Sequence, residues 1–84
     1  MTNYEDIRRL NRLNSIITYT EKKNQRPTTV NLWETRDVAD FHSLRSQLAD
    51  LEKDGLALRH PEDNWRWSVT REGWDFYIRT LAVD

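Results

Sequence analysis

The sequence predicts an α+β domain in which a helix, a short strand, two further helices, a β-hairpin and a C-terminal helix follow one another. This prediction depends most on residues 43–73. Leucines recur there at helical spacing up to Gly55, apolar and polar side chains then alternate on both sides of the run HPEDN, and Thr70 begins a new helical pattern. A helical period that changes to a period of two is typical of a helix leading into a hairpin.

The chain has 84 residues, which is enough for one hydrophobic core, so we expect a single domain over residues 1–84. It has no cysteine, which excludes disulfides, thiolate nucleophiles and thiolate metal sites. No apolar run has the length of a membrane span, and the N-terminus lacks the apolar stretch of a signal peptide. We therefore expect a soluble, cytoplasmic protein without a membrane partner.

The net charge of −1 argues weakly against a nucleic-acid partner, because phosphate neutralisation needs local positive charge. The charge is nevertheless polarised along the chain. Residues 1–26 carry six Lys or Arg against three acids, residues 27–58 carry three against six, and residues 59–84 carry four against five. The basic side chains are therefore concentrated near the N-terminus.

The first helix is predicted over residues 3–22, with Asn3 as its N-cap. Its apolar residues recur at steps of three and four: Tyr4, Ile7, Leu10, Leu13, Ile16 and Ile17. Arg8, Arg9 and Arg12 fall on its polar side. These arginines are expected either to be solvated or to contact phosphates or a second subunit.

Residues 30–33 predict a short strand after the loop that contains Pro27. Thr35 is a suitable N-cap for a brief second helix over residues 35–41. Its expected members are an acid in the first turn and two inward-facing apolar side chains: Asp37, Val38 and Phe41.

The third helix, over residues 43–54, has the clearest pattern in the chain. Leu44, Leu48 and Leu51 form one narrow stripe at an advance of about 100° per residue, so this stripe is expected to face the core. Gly55 is expected to be a left-handed C-cap, closed by a contact from Leu56.

The following segment predicts two strands with one buried face each. The apolar side chains assigned to those buried faces are Leu56, Leu58, Trp65, Trp67 and Val69. Arg59 and Arg66 are expected to point away from the core, and Trp65 is expected at the core margin. Thr70 is the predicted N-cap of the last helix, in which we assign Trp74 to the core.

Two stretches of the chain resemble the pattern of winged helix-turn-helix domains, particularly the small prokaryotic and phage regulators related to the MarR and PadR groups. These stretches are LADLEKDGLALR and, after it, WSVTREGW. In that pattern the recognition helix ends in Leu-Glu-x-x-Gly-Leu, and the second wing strand ends in a Leu-Thr-x-x-Gly type of signature. The matching residues are Leu51, Glu52, Gly55, Leu56, Val69, Thr70 and Gly73. The resemblance covers residues 28–75, and it departs from the pattern in lacking a glycine before the recognition helix and in the shortness of the second helix.

The resemblance implies sequence-specific binding of double-stranded DNA by a transcriptional regulator, either repressor or activator. Helix 43–54 would enter the major groove and hairpin 59–66 would be the wing. The candidate DNA-contacting residues are His42, Ser43, Arg45, Ser46, Gln47, Ala49, Lys53, Arg59 and Arg66. Arg45 suits guanine and Gln47 suits adenine, while Asp50 could accept from cytosine N4 or hold Arg45 or Lys53 in place. Glu62 and Asp63 would resist the approach of the wing to a phosphate. The alternative interpretation of the helix face is an ordinary solvated surface.

Two functions remain open from the sequence. In the first, the apolar stripes of the first and last helices join a homodimer that binds a two-fold DNA site. In the second, the winged helix is a protein–protein interaction module that contacts no nucleic acid. His42 and His60 are the only histidines, and no spacing typical of a metal site, a catalytic site, a cofactor or a small-molecule site is present, so we expect no enzyme.

Overall fold

The computed structural model describes residues 3–36 and 38–82. Within them the chain is α+β, with four α-helices and a two-stranded antiparallel sheet. The elements in chain order are α1 (Tyr4–Lys23), α2 (Thr29–Glu34), α3 (Phe41–Lys53), β1 (Ala57–His60), a single 3₁₀ turn (Pro61–Asp63), β2 (Arg66–Val69) and α4 (Arg71–Ala82).

One cluster of buried side chains joins α1, α2, α3 and the hairpin. Its members are Leu13, Ile16, Leu32, Leu44, Leu48, Leu51, Ala57 and Trp67. The stripe of three leucines predicted for α3 is therefore confirmed as the buried face of that helix. The indole of Trp67 donates a hydrogen bond to Thr29 Oγ1 (3.0 Å), which satisfies its one polar group within the core.

Helix α1 begins where the sequence predicts, because the side chain of Asn3 accepts a hydrogen bond from the backbone amide of Asp6 (2.8 Å). Its polar side is not simply solvated. Arg12 is only 5% exposed, and it lies in a cleft beside Gln47 of α3. Arg9 reaches the carboxylate of Asp54 at the end of α3 (3.3 Å). The arginines of α1 thus contribute to the packing of α1 against α3.

The strand predicted over residues 30–33 is wrong, because these residues belong to helix α2. Thr28 Oγ1 accepts from the amide of Asn31, and Asn31 Oδ1 accepts from the amide of Thr28, each at 3.0 Å. This reciprocal capping begins a helix, with Asn31 in the place of the usual Glu or Gln. An extended backbone does occur slightly earlier, where the carbonyl of Pro27 accepts from the amide of Trp67 in β2 (2.7 Å).

The helix predicted over residues 35–41 is also wrong. Thr35 is the C-cap of α2, and its hydroxyl donates to the carbonyl of Leu32 (2.7 Å) instead of capping a new helix. Arg36 follows with a positive φ of 60°. It lies in the connection before α3, where the winged-helix pattern often has a glycine. Asp37 lies outside the described residues, while Val38 packs against the core and Phe41 contacts the ring of Trp33 edge-on (5.5 Å between centroids).

Helix α3 starts two residues earlier than predicted because Asp40 is its N-cap. Its C-terminus is confirmed. Gly55 has a φ of 77°, its amide donates to the carbonyl of Glu52 (3.1 Å), and the amide of Leu56 donates to the carbonyl of Leu51 (2.8 Å). This pair of hydrogen bonds is the Schellman motif that ends helices at a left-handed glycine.

The hairpin is confirmed, but the buried face predicted for its first strand is wrong. Ala57 is 2% exposed whereas Leu58 is 48% exposed. Ala57 pairs with Val69 and Arg59 pairs with Trp67, so these four residues share the face that is directed at the core. Arg59 therefore lies on the opposite face of the sheet from Arg66, and the two arginines do not form one outward pair.

The N-cap of α4 is confirmed, since Thr70 Oγ1 accepts from the amide of Gly73 (3.0 Å). Two tryptophan assignments are wrong. Trp65 is 58% exposed at the hairpin end, and Trp74 is exposed on α4. Gly73 and Phe76 supply the side of α4 that packs inward, which leaves Trp74 on its outer side.

None of the helices described in residues 3–36 and 38–82 combines the length and the apolar character that crossing a bilayer requires.

Gly73 allows α4 to approach the chain between α3 and β1. A Cβ atom built at this position would lie 2.1 Å from the carbonyl oxygen of Leu56 and 2.7 Å from a methyl group of Val69. Because the nearer atom belongs to the backbone, it cannot move aside as a flexible side chain would. Gly55 differs, since a Cβ there would meet no atom within 4 Å and only the positive φ opposes it.

We expect Gly73→Ala to lower the free energy of unfolding by about 3 kcal/mol, because α4 must shift away from Leu56. Gly55→Ala, the matched control, should lower it by only about 1 kcal/mol, through backbone strain alone. Urea denaturation followed by circular dichroism measures both values. Equal losses in the two variants would contradict the close approach of α4.

Candidate nucleic-acid interface

The burial of one α3 stripe leaves the opposite arc of the helix exposed. Leu44, Leu48 and Leu51 are buried, and side chains about half a turn away from them point outward. The exposed residues on this arc are His42, Arg45, Ser46, Ala49, Asp50 and Lys53. Arg45 and Lys53 form no hydrogen bond or ion pair with another side chain in the described part of the chain. Two cations are thus available for an external ligand.

Two of the residues proposed for DNA contact are turned away from this arc. The hydroxyl of Ser43 donates to Asp40 Oδ2 (2.7 Å), and the backbone amide of Ser43 donates to Asp40 Oδ1 (3.0 Å). Gln47 is half-buried in the cleft between α3 and α1, beside Arg8 and Arg12. Ser43 therefore belongs to the helix cap, and Gln47 belongs to the α1 side of α3.

The cap also changes the acidity of Asp40. Hydrogen bonds from the hydroxyl and then from the amide of Ser43 favour the ionised carboxylate, and they hold the pKa of Asp40 below its ordinary value of 3.8. A carboxylate at a helix N-terminus is also favoured by the helix dipole. The cap at the first turn of α3, where His42 lies, is thus strengthened by the ionised form of Asp40.

A groove of about 230 Å³ separates α3 from the hairpin. Its walls come from three elements: Thr29 of α2, then Arg45, Leu48, Ala49 and Glu52 of α3, and Arg59 and Trp67 of the hairpin. Arg45 and Ala49, two of the residues proposed for base contact, therefore line the side of α3 that faces the hairpin. The exposed arc and the hairpin consequently bound one continuous concave surface.

Arg59 joins the two sides of this groove. Its guanidinium donates to both carboxylate oxygens of Glu52, from Nε and from Nη2, each at 3.1 Å. The same guanidinium carbon lies 5.5 Å from the ring centroid of Trp67 and 5.9 Å from that of Trp65. A planar guanidinium suits this combination of a two-pronged ion pair and stacking. Arg59 is therefore oriented by α3 and by two indole rings.

The acids at the hairpin end are held by neighbouring cations. Asp63 lies 3.5 Å from Arg26 and 3.6 Å from Arg66, and Arg66 also donates to the carbonyl of Arg26 (2.9 Å). Arg66 is thus largely committed to contacts within the chain. Sequence reasoning missed Arg26 because nothing local connects it to a hairpin that follows forty residues later.

Glu62 is paired with His60. His60 Nδ1 lies 3.0 Å from Glu62 Oε1, while His60 Nε2 lies 2.6 Å from Ser68 Oγ on the neighbouring strand. The hydrogen bond from its own backbone amide, followed by the one with His60, lowers the pKa of Glu62 below its ordinary value of 4.5. Glu62 therefore stays ionised near neutral pH.

Trp65 projects from the same end of the hairpin, with an unusual backbone. Asn64 and Trp65 have φ values of 56° and 59°, so two successive residues other than glycine are left-handed. Asparagine tolerates this region, whereas a bulky residue there is an outlier. The amide of Trp65 donates to the carbonyl of His60 (2.9 Å), which closes the turn.

Other parts of the described chain offer less chemistry. A cavity of about 460 Å³ is an open groove between α1 and α2, lined by Asn14, Ser15, Thr18, Tyr19, Lys22, Lys23, Asn31, Glu34 and Thr35. Within residues 3–36 and 38–82, no three His, Asp or Glu side chains are grouped as a metal site would require. The surface between α3 and the hairpin is therefore the candidate site that the geometry favours.

The lowered pKa of Asp40 leads to a prediction about acid stability. A carboxylate whose folded pKa is lowered stabilises the fold above about pH 4, and this contribution disappears as the pH falls through the lowered pKa. We expect Asp40→Ala to lower the melting temperature by a few degrees at pH 7, with the difference from the parent narrowing towards pH 3. Asp40→Asn, the control, keeps an uncharged cap, so its difference from the parent should be smaller at pH 7 but should narrow over the same pH range, because neither variant has a carboxyl that titrates. Thermal melts at several pH values test this, and a pH-independent difference for Asp40→Ala would contradict it.

Comparison of the chain with models of protein families, with curated proteins and with solved structures finds no match. An assignment of function therefore depends on the surface that α3 and the hairpin form.

Proposed function

We propose that this protein is a winged-helix DNA-binding regulator, with α3 in the major groove and the β1–β2 hairpin as the wing. The order of α1, α2, α3, hairpin and α4 supports this fold. The backbone hydrogen bond between Pro27 and Trp67 supports it further, because it joins the segment before α2 to β2. Residues 35–40, with Arg36 at a positive φ, connect α2 to α3, in the chain order of a helix-turn-helix.

The observation that carries the proposal is the concave surface shared by α3 and the hairpin. The exposed arc of α3 is free of aliphatic side chains larger than alanine, and it is bounded on one side by the hairpin. A major groove about 12 Å wide admits one α-helix, and the flanking phosphates then lie against the adjoining element. A helix with a polar outer arc and a hairpin beside it suits that geometry.

The roles follow from position. Arg45 is exposed on the side of the arc that faces the hairpin, and its guanidinium suits guanine O6 and N7. Ala49 allows close approach to a thymine methyl group, and Lys53, in the last turn, suits a backbone phosphate. His42 and Ser46 complete the arc. Direct DNA contact by Ser43, Gln47, Arg59 and Arg66 stays a prediction. The contacts described for these four residues are all with other parts of the chain.

A homodimer suits the exposed apolar residues of the outer helices. On α4, Trp74, Ile78 and Leu81 recur at helical spacing, and Ile78 is 58% exposed. Tyr4 and Ile7 are exposed on α1, and the hydroxyl of Tyr77 donates to Asn14 Oδ1 (2.8 Å), which places α4 beside α1. A two-fold pair would present two α3 helices to successive major grooves, about 34 Å apart.

The second candidate is a protein–protein interaction module. The observation in its favour is the same exposed row of Trp74, Ile78 and Leu81, together with a net charge of −1. Large aromatic and aliphatic side chains of this kind dominate protein interfaces. The two candidates differ in their response to salt. Binding through phosphates falls steeply as salt rises, whereas an apolar interface responds little.

DNA binding is tested with the two free cations of the arc. We expect Arg45→Ala to weaken binding by about 1–3 kcal/mol at one base position, because one bidentate base contact is lost. Lys53→Ala should weaken binding to all sequences alike and reduce the slope of log K against log salt by about one. Fluorescence anisotropy with a pool of duplexes, including DNA from upstream of the gene, at several salt concentrations measures both effects.

Lys23→Ala is the matched control, since it removes one exposed charge from the last turn of α1, on neither α3 nor the hairpin. It should bind DNA as the parent does. If the parent binds no duplex at low salt, or if all three variants bind like the parent, the DNA-binding proposal fails.

Dimerisation is tested on α4. We expect Ile78→Glu to convert a dimer into a folded monomer, because a carboxylate buried in an apolar interface loses its hydration. Leu58→Glu is the control, since Leu58 is similarly exposed but lies on the hairpin. Sedimentation velocity should show a dimer for the parent and for Leu58→Glu. A monomeric parent would contradict this part of the proposal.

A further inference from the structure

Trp65 occupies a position that the burial of a hydrophobic side chain does not explain. More than half of its side chain is exposed, and its backbone lies in a region that bulky residues rarely adopt. Strain of this kind persists where the surroundings enforce it, and it clusters at binding sites. The indole is thus held away from the core.

The indole of Trp65 is oriented by contacts with Arg59, which is itself held by α3. Glu52 of α3 holds Arg59 by two hydrogen bonds of 3.1 Å, and the guanidinium of Arg59 lies against the rings of both Trp65 and Trp67. Trp67 is itself buried. These contacts join α3 to the hairpin end, and the cation–π contact with Arg59 orients Trp65 relative to the proposed recognition helix.

Two arginines offset one of the two carboxylates near Trp65. Asp63 lies near Arg26 and Arg66, and Glu62 is bonded to His60. Arg59 lies against one side of the indole. A polyanion that approaches the hairpin end therefore meets an uncharged aromatic ring supported by a delocalised cation.

We propose that Trp65 stacks on a nucleobase, by entering a base step of the duplex that the hairpin contacts. This inference rests on the proposed DNA-binding function and names what the wing recognises. Apolar side chains that enter the minor groove unstack a base step and kink the duplex. Pyrimidine–purine steps unstack most easily, so the wing favours TA and CA steps without hydrogen bonds to base edges.

A nucleobase suits this site better than a protein surface. Aromatic residues that dominate protein interfaces lie at the centre of a patch, surrounded by side chains that exclude water. Trp65 instead ends a narrow hairpin, and its chain neighbours Asp63, Asn64 and Arg66 are polar. A single flat ring on a narrow support is shaped to enter between two bases rather than to cover a broad surface.

The test uses Trp65→Ala and Trp65→Phe in the full chain, with a mixed-sequence duplex of about 30 base pairs that contains TA steps. Loss of stacking on one base should weaken binding of Trp65→Ala about tenfold or more. The salt slope should stay at the parent value, because no phosphate contact is lost. Trp65→Phe, which keeps a ring, should recover most of the affinity.

A second readout reports the shape of the DNA. Energy transfer between dyes at the two duplex ends should show a kink with the parent and with Trp65→Phe, and a straighter duplex with Trp65→Ala. Lys53→Ala, measured alongside, should reduce the salt slope and leave the kink in place. The two variants thereby separate stacking from phosphate contact.

The backbone strain at Trp65 can be tested on the free protein, without DNA. Trp65→Gly and Trp65→Ala remove the same ring, but only glycine adopts a φ of 59° without strain. The glycine variant should therefore melt about 4–8 °C above the alanine variant. Both should bind DNA equally weakly, since stacking is lost in both.

The outcomes separate this inference from the function on which it rests. If the parent binds duplex DNA and Trp65→Ala matches it in affinity and in kink, Trp65 is not a stacking residue and DNA binding by α3 still stands. If the parent binds no duplex, both proposals fail. If Trp65→Ala changes the sedimentation of the free protein instead of its DNA affinity, Trp65 contacts protein and the inference is overturned.

Discussion

The position of the hairpin relative to α3 depends on the hydrogen bonds around Thr70. Its backbone amide donates to the carbonyl of Leu56 (3.1 Å), its hydroxyl donates to the carbonyl of Gly55 (2.6 Å), and the same hydroxyl oxygen accepts from the amide of Gly73 (3.0 Å). One residue thus connects the end of α3, the start of β1 and the first turn of α4. A side chain on Gly73 would meet the carbonyl of Leu56, so the connection also requires that glycine. The surface formed by α3 and the hairpin exists because these three chain segments meet there.

A comparison of free energies shows which contacts determine the position of the hairpin and which one orients the side chains at its end. The ion pair between Glu52 and Arg59 is about half exposed, and exposed ion pairs contribute about 0.2–1 kcal/mol. Burial of a side chain as large as that of Trp67 contributes more, about 1.5–3 kcal/mol for a large apolar residue. Trp67 and the backbone bonds of Thr70 therefore set the hairpin position. The ion pair fixes the direction of Arg59 and, through its stacking contact, that of Trp65.

The parts of the fold that the sequence could predict are those with strong local signals. The stripe of α3, the left-handed Gly55 and the cap at Thr70 each depend on residues within one turn, and each is confirmed. Helix α2 was mistaken for a strand because its capping pair uses Asn31, which is an uncommon third residue of a capping box. The buried face of β1 was mistaken because it depends on pairing with β2, which places the small Ala57 inside and Leu58 outside. The ion pairs of Arg26 with Asp63 and of Arg9 with Asp54 join residues far apart in the chain, and no local pattern indicates them.

The net charge of −1 is a poor guide to the field at the proposed interface, because the carboxylates nearest the groove are paired within the fold. Glu52 is paired with Arg59, and Asp63 at the hairpin end lies near Arg26 and Arg66. At distances beyond a Debye length of about 8 Å, such compensated pairs contribute little. The exposed arc of α3 then carries two positive charges, on Arg45 and Lys53, and one negative charge, on Asp50. Asp50 also lines the cleft that holds Arg8 and Arg12. The surface left is weakly cationic. A protein with so few free cations gains little from phosphates, so tight binding would have to come from base contacts and from stacking.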